Sequence, residues 1–222
     1  ADERIEAAAG LLLDAPMAVY SVDADRRIRD RIGPLTFLRL QEASRAALRS
    51  SETICALSEA ISELREDLSS VLLGYWKASE IEGRALIVSL IAHSGGVPVW
   101  NDETRSIDFI NNIQQINSVF TAGSVGWMLQ NTRFPHLSRW CGLPLPQLGV
   151  RFQQMSQATR NRYIHRDNLQ EAQVLSQARS LVADPPDGIL PATIRCMVDI
   201  ETVGSDRSLE EYEDQVGPQK WI

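Results

Sequence analysis

Six arginines fall within Phe109 to Arg166, a run of fifty-eight residues without a single Asp or Glu: Arg133, Arg139, Arg151, Arg160, Arg162 and Arg166. Their planar, weakly hydrated guanidinium forks suit phosphate contacts. Polar and aromatic groups lie between them. Arg160, Arg162 and Arg166 alternate with Asn161, Tyr163 and His165, and Arg133 and Arg139 flank Phe134, His136 and Trp140. Arginines that hold phosphates beside rings that stack on bases, here Tyr163 and Trp140, are the chemistry of single-stranded nucleic-acid binding. On a helix Arg162 and Arg166 would share a face. The plainer alternative is that all six pair with carboxylates elsewhere in the chain and simply solvate the fold.

Those carboxylates are plentiful. Residues 1–108 hold 18 acids against 12 bases, and residues 167–222 hold 11 against 4, within a net charge of −7. So acidic a chain is poorly suited to duplex DNA, where summed positive charge dominates affinity. Single-stranded RNA held in a groove, with many copies each making a few contacts, is compatible with it. Arginine outnumbers lysine 20 to 2, a bias that gene base composition would also produce.

Other chemistry is thinly represented. Ala122-Gly123-Ser124-Val125-Gly126 is one residue away from the GxSxG nucleophile elbow, which needs a strand before the serine and a helix after it. The residues before Ser124 read as helix, so a helix-capping serine is the simpler reading. His93, His136 and His165 have no metal spacing such as HExxH, and no P-loop or GxGxxG is present, so neither metal nor nucleotide cofactor is expected. Glu66-Asp67 and Glu210-Glu211 read as solvated charges. Cys55, Cys141 and Cys196 are too dispersed for a zinc site or a disulfide framework, which fits packing thiols in a reducing, cytoplasmic setting, or in a virion if the chain is a coat protein. No apolar run reaches about eighteen residues, so no membrane span is expected, and Ala1-Asp2-Glu3-Arg4 lacks the character of a signal peptide.

The elements that must carry these residues read mainly as helix. An opening helix over 2–15 starts with favourable acids. Met17 to Ile32, with Val19, Tyr20 and Val22 before Asp23-Ala24-Asp25, reads as a short hairpin. The stretch LLLDAPMAVYSVDADRRIR (11–29) resembles the opening of a PAS sensor domain, but the strands of that family do not follow and nothing is carried over. Pro34 starts a helix to about Arg49. Ser50 or Ser51 then caps a longer one whose seam, Ile54, Leu57, Ile61, Leu64, Leu68, Val71 and Tyr75, has heptad spacing. That seam must be covered by a partner helix, of this chain or of another copy.

Ser79 and Glu82 form a capping box for a further helix that stops at Ser94-Gly95-Gly96, where a sub-boundary would fall. Val97–Trp100 and Ser106–Phe109 suit a hairpin, and Ile110, Ile113, Ile116 and Phe120 mark another helix. After the Pro144-Leu145-Pro146 loop comes a polar helix from about Gln147 to Ile164 with few apolar residues, a face that is wet or bound. Asn168 and Glu171 cap a helix over Leu169–Val182, ended by Asp184-Pro185-Pro186-Asp187-Gly188. Ile194, Cys196, Val198 and Ile200 alternate as in a strand, and seven acids between Asp199 and Asp214 make an acidic arm ending in Trp221-Ile222.

The sequence therefore predicts a mainly α chain: a single helical body over 1–190 with one or two small β-hairpins, then a strand and extended acidic arm over 191–222. Its leading functional reading is a self-assembling structural protein that binds single-stranded nucleic acid, such as a viral coat or nucleocapsid subunit, with other copies of itself as partner. A helical protein-interaction scaffold docking on the 54–75 seam is the alternative from another class, and a serine hydrolase is a remote third.

Overall fold

The computed structural model describes residues 17–60, 67–94, 97–101, 106–110, 121–131, 145–160 and 169–206. Helices dominate them. Helix α1 spans Met17–Ile32, where the sequence reading expected a hairpin. Val19, Tyr20 and Val22 are β-formers, but Ala24, Ile28 and Ile32, four apart, supply one apolar stripe and all three are buried. A stripe at helical period overrides local β propensity.

Gly33 follows at φ 86°, a conformation costly for any residue with a Cβ, and Pro34 opens the short helix α2, Pro34–Arg39. The guanidinium of Arg29 lies 5.0 Å from the centre of the Phe37 ring across this turn. The chain turns again at Leu40 and Gln41. Helix α3 then runs unbroken over Glu42–Ala60, through the Ser50-Ser51 pair expected to begin a new helix. Ser50 Oγ donates to the Ala46 carbonyl one turn back, at 3.1 Å.

Helix α4, Ser69–Ser94, is the centre of the fold. It touches α3 along most of its length, and further helices pack on its remaining sides. Val71, Leu72, Tyr75, Trp76, Ala78, Leu86, Ile87 and Leu90 are all buried, and along the middle of the helix a narrow stripe of Leu73, Lys77, Arg84 and Val88 reaches solvent. A helix covered on nearly every side shows no clean apolar period. That is why the sequence reading divided it into two helices at Ser79.

The pair α3/α4 is antiparallel, with Gln41 beside Glu82 and Ser51 beside Gly74. Strands β1, Val97–Asn101, and β2, Ser106–Ile110, follow in an antiparallel pair with Val97 opposite Ile110 and Asn101 opposite Ser106. Helices α5, Ala122–Asn131, and α6, Leu145–Gln154, cross closely. A Cβ on Gly126 would sit 2.7 Å from the Gly149 carbonyl oxygen, and one on Gly149 would sit 2.6 Å from that of Gly126.

Helix α6 continues as a π-helical turn, Met155–Arg160. It begins at Leu145, inside the expected proline loop, and it is not polar all round: Leu145, Leu148, Phe152 and Met155 are buried. The final helices are α7, Ala172–Ala183, and α8, Ile189–Asp206. Helix α8 replaces the expected C-terminal strand. Its alternating Ile194, Cys196 and Ile200 are buried together with Ile189, Leu190, Ala192 and Thr193, because α8 packs on α4, α2, α6 and α7 at once. Burial on several sides mimics the period of a strand.

Buried side chains from Ile28 to Ile200 form one cluster, drawn from both sides of Gly95-Gly96. Among the described residues no helix is long and apolar enough to cross a membrane. The expected opening helix over 2–15, the helix through Ile113 and Ile116, and the acidic arm beyond Asp206 lie outside the described residues.

Candidate functional site

Of the residues expected to bind nucleic acid, Arg151 is the one whose side chain is described. It projects from α6, and its Nη1 donates to the Asp187 carbonyl oxygen while Nη2 lies 3.6 Å from an Asp187 carboxylate oxygen. This arginine therefore closes α6 onto the turn between α7 and α8 instead of standing free. Arg160 ends the π-helical turn. Arg133, Arg139, Trp140, Arg162, Tyr163, His165 and Arg166 lie outside the described residues.

Most of the described arginines outside the acid-free segment have carboxylate partners within the fold. Arg27 reaches Asp23 at 2.8 Å and Glu59 at 3.5 Å, and Arg49 reaches Asp25 at 2.6 Å and Glu42 at 2.9 Å. Arg39 pairs with Glu201 at 3.0 Å, and Arg31 with Asp184 at 3.4 Å. Asp23 also pairs with Arg26. Although burial alone would raise the Asp23 carboxyl, its bonds to Arg27 and Arg26 hold it below the ordinary carboxylate range. Among ion pairs between described residues, Asp187 with Arg151 joins a flank to the acid-free segment, and the others join flank to flank.

The seam residues are divided between two helices. Ile54 is half-buried against the core and Leu57 half-exposed on α3, whereas Val71 and Tyr75 are fully buried on α4 and Leu68 is buried just before it. Ile61 and Leu64 lie outside the described residues. The helix expected through 51–75 is interrupted: Asp67 and Leu68 are non-helical, and α4 starts at Ser69. Helix α4 thus covers α3 within one chain, and Leu68, Val71 and Tyr75 of the seam are part of the core, with Ile54 packed against it.

Ser124 lies in the first turn of α5. Its Oγ accepts from the Thr121 backbone N–H at 2.9 Å, and the Thr121 Oγ1 accepts from the Ser124 N–H at 3.3 Å. This is a reciprocal cap in which Thr121 is the N-cap. His93 is exposed on the last turn of α4, its Nδ1 2.8 Å from the Ser89 carbonyl.

Sequence reading missed a buried polar centre between α3, α4 and α7. Glu52 is 2% exposed, and its Oε1 accepts from both the Tyr75 hydroxyl and Nη2 of Arg179. Nε of Arg179 lies 3.3 Å from the Tyr75 oxygen, its Nη1 is 3.5 Å from Cys55 Sγ, and its carbon stands 5.5 Å from the ring centre. Burial raises the Tyr75 hydroxyl, and the Glu52 charge raises it further. Burial works against the Arg179 cation, but Tyr75, Glu52 and Cys55 outweigh it and raise its pKa. The Cys55 thiol is pushed up mainly by burial. Cys55 therefore stays a protonated thiol.

An open cleft of about 570 Å³ lies over this centre, lined by Arg27, Asp30, Arg31, Glu52, Glu59 and Arg179. Across it Arg27 pairs with Glu59, Arg31 with Asp184 and Arg179 with Glu52, so most of its charge is compensated within the lining. Among the described residues no group of three His, Cys, Asp or Glu is placed to hold a metal ion. No signal in a single sequence links Glu52 to Arg179, 127 positions later. No protein family, curated protein or solved structure matches this chain.

Proposed function

We propose that the chain is a self-assembling structural protein that binds single-stranded nucleic acid through its acid-free segment, in the manner of a viral coat or nucleocapsid subunit. One observation carries this reading: carboxylates are excluded from Phe109 to Arg166, while Asp25, Glu42, Glu59, Asp184 and Glu201 are engaged with arginines of the flanks. Those flank arginines already have carboxylate partners, and the six arginines of the middle lie in an acid-free segment of about a quarter of the chain. Arg133, Arg139, Arg160, Arg162 and Arg166 would hold phosphates, with Trp140, Tyr163 and His165 against bases. Arg151 would have to exchange Asp187 for a phosphate. Single-stranded RNA is favoured over duplex DNA because the net charge is −7.

Binding to a homopolymeric RNA is expected to weaken steeply with salt. Losing two phosphate contacts through Arg162→Ala with Arg166→Ala should reduce the slope of log K against log salt by about 1.4, at about 0.7 per contact on a single strand. Absence of binding at low salt, measured by fluorescence anisotropy with the assembled protein, would end the proposal. A protein-docking scaffold is the second reading, favoured by Leu35 and Leu38 of α2, which are 64% and 69% exposed. A discrete monomer or dimer with no absorbance from bound nucleic acid would favour it.

A further inference from the structure

Helix α2 turns Thr36 and Phe37 into the core and leaves Leu35 and Leu38 exposed. With Arg39 these two stand at i, i+3 and i+4, on one side of the helix. Arg39 reaches across to Glu201 of α8 at 3.0 Å, and both residues line a pocket of about 150 Å³ together with Ala85, Ile194, Met197 and Val198. Ala85, Met197 and Val198 are half-buried, so the apolar wall of this pocket keeps surface that a visiting group can touch. The space equals about five waters at roughly 30 Å³ each, enough for one large side chain and below the about 300–1,000 Å³ of sites for drug-sized ligands. Two exposed leucines that lead to an apolar pocket are a docking surface for a short peptide segment.

The chain itself supplies a matching segment close by. Helix α8 ends at Asp206, five residues past Glu201, or about 7.5 Å along a helix. Just beyond it Ser208 and Glu211 make a capping box, and Gly217-Pro218 make a stop, so residues 209–216 carry the start and end signals of about two helical turns. Leu209, Tyr212 and Val216 fall at i, i+3 and i+7, the anchor spacing of an amphipathic helix laid on an apolar groove. On such a helix Glu210 and Glu213 border the apolar face. The receiving side has a cation for them: Arg29 is exposed, with its guanidinium 5.0 Å from the centre of the Phe37 ring of α2, and among the described residues it has no carboxylate partner.

We propose that residues 209–216 dock as a short amphipathic helix on the α2/α8 face of their own chain, with their apolar side on Leu35 and Leu38, Tyr212 in the pocket against Met197 and Val198, and their acidic border toward Arg29. Docking on this face does not depend on the nucleic-acid reading.

Hydrogen exchange of the full chain, followed by mass spectrometry, tests it. The amides of 209–216 are expected to exchange at least about tenfold more slowly than their intrinsic rates, equivalent to about 1.4 kcal/mol. Leu35→Glu with Leu38→Glu, at exposed positions where substitution leaves the core alone, should return those amides to intrinsic rates. Val150→Glu, at an exposed apolar position of α6, should leave them slow. Leu209→Ser with Tyr212→Ser removes the anchors from the other side and should act like the α2 change, so the result does not hang on one variant folding. Intrinsic rates in the unaltered chain, or slow exchange that survives Leu35→Glu with Leu38→Glu, would overturn the proposal. So would protection that rises with protein concentration, because the segment would then lie on a second copy.

Discussion

Arg179 is the residue on which the interior depends most. Its guanidinium, 13% exposed at the side chain, neutralises a Glu52 side chain that is 2% exposed. Breaking a buried pair from one side leaves an uncompensated charge, at about 3–5 kcal/mol. Arg179→Met is therefore expected to lower the unfolding midpoint by about 6–20 °C, at about 2–4 °C per kcal/mol for a chain of this size. The double change Glu52→Leu with Arg179→Met should lose much less, because neither charge is then stranded. Calorimetry on the two variants and the unaltered chain checks this, and equal losses from the single and double changes would refute the pairing. Tyr75 was expected on the apolar seam for its spacing. Its ring does belong to the core, while its hydroxyl belongs to the charged centre, a division that residue spacing does not encode.

Three carboxylates near the start or middle of α4 act as helix caps, two of them for other helices. Asp67 accepts from the Ser69 N–H at 2.9 Å and from the Leu169 N–H at 3.1 Å, so it caps α4 and pins the start of the α7 segment. Glu80 accepts from the Ala122 N–H at 3.1 Å and starts α5, and Glu82 starts α3. Burial works to raise the Asp67 carboxyl, but the backbone and hydroxyl bonds from Ser69 and the Leu169 N–H outweigh it and lower the pKa. A folded pKa below the unfolded value of about 3.9 adds stability that is present above that pH and lost as pH falls through the folded value. Asp67→Ala should cost about 0.5–2 kcal/mol at neutral pH, and the cost should shrink as pH falls below about 3.9, followed by urea unfolding at several pH values. At the α3/α4 contact, a Cβ on Gly74 would lie 2.1 Å from the Ala47 carbonyl oxygen, a backbone atom that moves only with its helix. Gly74→Ala is expected to destabilise by about 1–3 kcal/mol through overpacking, reversing the roughly 1 kcal/mol that alanine normally adds in a helix. The helical class, the helix start at Pro34 and the stops at Ser94 and Asp184 were legible, since glycine, proline and capping residues act locally. Where α4 and α8 are covered on several sides the apolar pattern loses its period, and Ser79-Glu82 imitated a local cap while serving a distant one.

Across the whole molecule, charge is sorted by sequence position, and this was legible from composition alone. The arrangement of the flank ion pairs was not, because it joins residues as far apart as Arg39 and Glu201 or Arg31 and Asp184. The cluster of buried residues reaches Ile200 on α8. Residues 207–222 hold four acids, Glu210, Glu211, Glu213 and Asp214, against Arg207 and Lys220. If the acid-free segment binds phosphates, those carboxylates compete for the same guanidinium groups, whether they fold back or reach a neighbouring copy. Each exposed pair released contributes about 0.2–1 kcal/mol, so truncation after Asp206 should tighten binding of a single-stranded RNA by up to about fivefold per pair released. The gain should fade as ionic strength passes about 0.1 M, where the Debye length is about 10 Å. Anisotropy titrations of the full and truncated chains at low and moderate salt measure it. Truncation that leaves affinity unchanged at low salt would separate the acidic arm from the basic segment, and the charge sorting would then need a cause other than competition for one anion site.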